Sequence, residues 1–151
     1  MKTTLGIKNK NPWNVKNGRP MWKGSTDSDE RGHAIFKDEA FSARATIRTL
    51  AKKFANGKTT LLEIFESYAP VEDDNNPFEY ADFVSHKAGV DAHNPLRLFG
   101  SHGEIINFVL LTKILTAMAE FENYAGYQVS LDAIERGVEY YEIDFVREWA
   151  G

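Results

Sequence analysis

The stretch from Ile105 to Ala119 is the longest apolar run in the chain, interrupted by Asn107 and Lys113. A membrane span needs about 20 apolar residues, so this run is too short and too broken to be one. It reads instead as a buried central helix, and the rest of the sequence must supply elements that pack round it.

Those elements announce themselves by their starts. Asp38 is placed to cap a helix that carries Ala40, Ala43, Ile47, Leu50, Ala51 and Phe54 on one face and stops at Asn56-Gly57. Three further starts pair a short polar residue with a glutamate three positions on: Thr60 with Glu63, Asn76 with Glu79, and Ser101 with Glu104. The second has Pro77 in its first turn and should end near Gly89; the third should open the central helix, running from Ser101 to about Asn123. A last helix begins near Ser130, with Leu131, Ile134, Val138, Tyr141, Phe145 and Trp149 spaced by three and four.

Residues before 38 are punctuated by Gly6, Pro12, Gly18, Pro20, Gly24 and Gly32, and predict turns with one or two short strands, such as His33 to Lys37. The expected fold is mainly α, about five helices around the central one with an irregular N-terminal lobe. No repeat, low-complexity run or linker divides residues 1–151, so a single domain is expected.

Composition narrows the function. A net charge of -4 gives no overall attraction to nucleic acid or anionic lipid, and stable membrane insertion is not expected. Without cysteine there is neither a disulfide scaffold nor a thiol nucleophile. Met1 to Lys10 lacks an apolar core, so no secretory signal peptide is expected.

Three motifs imitate chemistry. Gly57-Lys58-Thr59-Thr60 ends like a P-loop, but Lys52 stands where the phosphate cradle needs its first glycine. His86, Asp91 and His93 lack the spacing of a zinc site, so neither metal nor cofactor is expected. Arg44, Arg48 and Lys52 form a basic stripe without interleaved aromatic residues, a pattern of solvated helix faces rather than of base-stacking surfaces.

The end of the central helix differs from these. In Ala117-Met118-Ala119-Glu120-Phe121-Glu122-Asn123-Tyr124, a carboxylate in the final turn meets the negative end of the helix dipole, which disfavours its ionisation. Burial beside Phe121, Tyr124 or Tyr127 would disfavour it further and suit a general acid. The competing reading is a solvated helix end.

Other segments carry a resemblance. Gly6-Ile7-Lys8-Asn9-Lys10-Asn11-Pro12-Trp13-Asn14-Val15, followed by Trp22 and Gly24, is similar to the opening of a phage family of virion structural and lytic proteins related to the lytic enzyme of cystoviruses. Phe36 to Ala45, then Tyr68-Ala69-Pro70-Val71-Glu72 with Asn75 and Tyr80, then Ala117 to Asn123, resemble its later motifs in the same order. Departures are Trp13 for a glycine, Lys10 for an asparagine, Tyr68 for a tryptophan and Val71 for a proline, together with a turn after Glu122-Asn123 that is longer than the family's.

The resemblance implies a lysozyme-like α+β fold, circularly permuted so that the glutamate helix comes late. It also implies a muramidase or lytic transglycosylase that cleaves peptidoglycan glycan strands. Glu122 would be the general acid/base and Glu72 a second carboxylate or runner-up. Two carboxylates about 5 to 10 Å apart would imply hydrolysis, and a lone glutamate intramolecular attack by the sugar; both stay open. Asn11 and Asn14 would line a sugar groove or form turns, Trp22 would stack on sugar or anchor the N-terminal lobe, and Tyr80 would bind substrate or support Glu122. The protein would start from the virion or the host cytoplasm and act in the periplasm or wall, with other virion proteins as further partners. A non-catalytic virion structural protein is the alternative; an antibacterial effector delivered by a secretion machine is a third class.

Overall fold

In the computed structural model the backbone is described for residues 3–70 and 75–150, and side chains to residue 144. The elements run α1 (Leu5–Lys8), β1 (Ser25–Ser28), β2 (Ala34–Phe36), α2 (Glu39–Ala55), α3 (Leu61–Tyr68), α4 (Pro77–Ala88), α5 (Phe108–Glu122) and α6 (Leu131–Ala150). The protein is mainly helical, with one small antiparallel hairpin of β1 and β2. Among the described residues no helix is long and apolar enough to cross a membrane.

Local chemistry sets most of the boundaries. Asp38 accepts from Ala40 N at the head of α2, and Thr60 and Glu63 form a reciprocal capping box at the head of α3. Asn76 accepts from Glu79 N with Pro77 opening α4, which Gly89 closes at φ 74°. The Gly57-Lys58-Thr59-Thr60 segment therefore ends one helix and caps the next.

The third capping pattern does not start a helix. Phe99 and Ile105 form an antiparallel bridge, Gly100 N donates to Glu104 O at 2.8 Å, and Gly103 turns the chain at φ 88°. Glu104 uses its carboxylate on His102 N within that turn. A glycine inside a helix costs about 1 kcal/mol relative to alanine, whereas this turn requires its left-handed conformation. Asn107 is the actual cap of α5, accepting from Leu110 N at 3.0 Å.

α5 is also enclosed less evenly than expected. Leu111, Ile114, Leu115 and Met118 form its buried stripe, Ala117 and Ala119 close its second half, and Phe108 and Val109 at its start lie exposed. α1 was not foreseen, since four residues carry no periodicity; Thr4 caps it by accepting from Ile7 N.

α2 and α6 pack closely because Gly137 lets them. A Cβ there would lie 2.5 Å from Ala43 Cβ and 3.0 Å from Ala40 O. Arg136 clamps the pair by donating to both carboxylate oxygens of Asp38 at 3.0 and 3.2 Å. The main core joins Ile47, Leu50, Leu61, Ile64, Phe65 and Val84 to the buried face of α5, with Trp13 inserted from the N-terminal segment. A smaller core of Val15, Ala34, Phe36 and Ala45, covered by Trp22 and Phe41, holds the hairpin to α2.

Candidate functional site

Residues 4–14 fasten themselves to the end of α5. Trp13 is fully buried and its Nε1 donates to Leu115 O at 2.8 Å, while Tyr68 Oη donates to Trp13 O at 2.6 Å. Asn123, the cap of α5, donates to Pro12 O at 2.8 Å and accepts from the Thr4 hydroxyl. The approach needs a glycine: a Cβ on Gly6 would meet Asn123 Oδ1 at 2.8 Å, Asn11 O at 3.0 Å and Asn14 Oδ1 at 3.1 Å.

This seam delivers Asn14 to Glu122. Asn14 stands at φ 53°, a left-handed conformation that asparagine tolerates better than most residues, and its Nδ2 donates to Glu122 Oε1 at 2.9 Å. From the other side Tyr80 Oη, on α4, donates to Glu122 Oε2 at 2.9 Å. The Tyr80 ring is fixed between Phe65, stacked at 4.0 Å, and Phe121 at 4.3 Å. Both oxygens of one carboxyl group are thus held in place by side chains that are themselves packed.

Burial pushes the Glu122 carboxyl above its ordinary value of 4.5, and the two hydrogen bonds from Asn14 and Tyr80 pull it only part of the way back. Burial, with the negative charge of Glu122 nearby, drives the Tyr80 and Tyr68 phenols well above theirs, so both stay protonated as donors.

Glu122 opens onto a cleft of about 850 Å³. That lies within the range of about 300–1,000 Å³ usual for ligand sites. Asn14, Lys16, Arg31, His33, Lys53 and Ser67 share its walls, and Glu122 is the one carboxylate among the described residues that line it. His33 faces Asp29 at 3.4 Å, and burial lowers its pKa below 6.5 despite that carboxylate. The described wall therefore presents polar and cationic groups around the reluctant acid Glu122.

Of the residues expected to act, Glu122 and Asn14 are brought together in the cleft. Tyr80 reaches the same carboxyl but is only 1% exposed, so it holds Glu122 rather than touching a sugar. Asn11 is 0% exposed and spends its amide on Val15 N, Val15 O and Ala34 O, so of its two expected roles it takes the turn-forming one and stitches the N-terminal loop. Trp22 donates to Lys16 O and covers the small core; it lines a different cleft from Glu122. Glu72 lies outside the described residues. His86 and His93 are exposed, and no group of three metal-binding side chains converges among the described residues.

Sequence reasoning missed Tyr68, Asn123, His33 and Lys53. Tyr68 and Asn123 stood inside quoted motifs, yet their partners are distant in sequence. Compared with known proteins, the chain matches no family model and no curated protein.

Proposed function

We propose that the protein cleaves the glycan strands of bacterial peptidoglycan, with Glu122 as general acid and then base. The observation that carries this is a carboxyl group held through both oxygens, raised in pKa by burial, and open to a polar cleft. Since Asn14 and Tyr80 occupy one lone pair on each oxygen, the acid's own O–H is left to point elsewhere, and the cleft is the open direction.

In the reaction the Glu122 proton passes to the glycosidic oxygen as the C–O bond breaks, leaving oxocarbenium character on the sugar. The resulting carboxylate then takes a proton from the attacking hydroxyl. Attack by the sugar's own hydroxyl gives an anhydro end, and attack by water with the help of a second carboxylate gives a reducing end. The resemblance in motif order to phage lytic proteins supports the same substrate. A circularly permuted lysozyme-like domain, reaching the wall from the virion or the host cytoplasm, is part of this proposal.

The test is digestion of purified peptidoglycan with product mass spectrometry, comparing wild type with Glu122→Gln and Glu72→Gln. Glycan fragments lost in Glu122→Gln are expected, with anhydro-muramyl ends marking attack by the sugar's own hydroxyl and loss in Glu72→Gln as well marking a second carboxylate. Reducing ends would make it a hydrolase, cut peptide stems would overturn the glycan reading, and no product at all would favour a non-catalytic virion protein.

A further inference from the structure

A second, larger cleft of about 1390 Å³ is lined by Arg48, Lys52, Lys53, Lys58 and Arg97, and among the described residues by no aspartate or glutamate. The chain as a whole has 22 acidic against 18 basic residues, so the cations are sorted into this cavity against the average. Nearby acids are already held: Glu104 accepts from His102 N in the turn at the wall's edge. Asp144, whose field reaches Arg48, is held by Arg44 at 2.5 Å, and Glu63, whose field reaches Lys58, is spent on its capping box. In a cleft with low-dielectric walls such a set focuses a positive potential.

The larger cleft meets the Glu122 cleft, for Thr49 and Lys53 line both. Its walls are not uniformly polar: Phe54, Leu96, Phe99 and Ile106 stand among the cations. The sugar-phosphate backbone of a duplex offers nothing apolar to these side chains, whereas a short peptide carrying both carboxylates and methyl groups matches both kinds of wall.

We infer that this cleft binds the carboxylate-bearing peptide stems of the wall polymer whose glycan lies across the Glu122 cleft; the inference rests on the proposed function. A branched polymer, neutral along its sugar rings and anionic on its side chains, then fits two joined clefts. Carboxylates pair with Arg97 and the lysines, and alanine methyls lie against the aromatic wall.

The experiment measures co-sedimentation of the protein with native peptidoglycan and with peptidoglycan whose free carboxyl groups have been amidated, alongside turnover of each. Wild type should bind the amidated wall about tenfold more weakly, by about 1.4 kcal/mol, and lose its preference as salt rises. The Lys52→Gln/Lys58→Gln/Arg97→Gln variant should bind both walls alike, with KM raised more than kcat is lowered. Lys113→Gln, whose cation lines neither cleft, should bind as wild type does. Equal wild-type binding to the two walls, or an unaltered triple variant, overturns the inference, as does tighter binding to duplex DNA than to native wall. Carboxylate-dependent binding without any glycan cleavage would remove the proposed catalysis and leave the stem site standing.

Discussion

At the start of α5 Phe108 and Val109 are 44% and 63% exposed, while at its end Glu122 is buried and held by Asn14 and Tyr80. The apolar groups face water where burial would be free, and the ionisable group is buried where burial is costly. Glu120, two residues before Glu122, shows the ordinary arrangement: it meets Lys87 at 3.6 Å and accepts from Gly126 N at 2.9 Å. Local rules are broken where a chain needs chemistry, and the closing turn of α5 breaks them for Glu122 alone.

Substitutions at the two ends should separate accordingly. Glu122→Gln preserves shape and removes the transferable proton, so glycan release should fall by about 10² to 10⁴-fold. Val109→Ser should leave release within about twofold and stability within about 0.5 kcal/mol, as surface changes do. Equal losses at both ends would show that α5 matters only as a scaffold.

Gly6→Ala attacks the seam between the N-terminal segment and the end of α5 rather than the acid. Its methyl would press on Asn123, Asn11 and Asn14 at once, and all three contacts are with backbone or with tied side chains. A cost of about 1–3 kcal/mol in urea unfolding is expected, with a disproportionate loss of activity because Asn14 moves. An unaffected variant would mean that the seam does not position the site.

Tyr80→Phe keeps the stack between Phe65 and Phe121 and deletes one donor to Glu122. That hydrogen bond lowers the Glu122 pKa, so its loss raises it further. Activity that depends on the protonated acid should then persist to higher pH, and the alkaline limb of the pH–rate profile should move up. A limb that stays put would detach Tyr80 from the acid.

The smallest effect is on stability. Because the folded chain holds the Glu122 proton more tightly than the unfolded chain, this contribution is complete below pH 4.5 and is lost as pH rises through the folded value. Glu122→Gln abolishes the decline. Its Tm advantage over wild type should be absent in acid, grow above pH 4.5 and then level off.

The sequence was most readable where structure is local. Asp38, Thr60 and Asn76 cap helices through partners two or three residues away, so their patterns suffice. Ser101 and Glu104 show the same spacing, but pairing between Phe99 and Ile105 and the turn at Gly103 override it. Glu122 could be singled out from its helix end, and Tyr80 was legible as a support for it or a substrate contact, whereas nothing in the sequence tied Asn14 to it. Asn14 lies 108 residues away and Tyr80 42, and no local pattern encodes which donor meets which oxygen. Asn11 and Asn14 look alike in sequence; the left-handed backbone at Asn14 sends its amide to the carboxyl, and Asn11 turns inward.

The most direct measurement is the titration of the Glu122 carboxyl carbon by NMR, assigned by its absence in Glu122→Gln. A midpoint above 4.5 is predicted, moving higher still in Tyr80→Phe. A midpoint at or below 4.5 would contradict the account, since an acid that has already lost its proton has none to give the glycosidic oxygen.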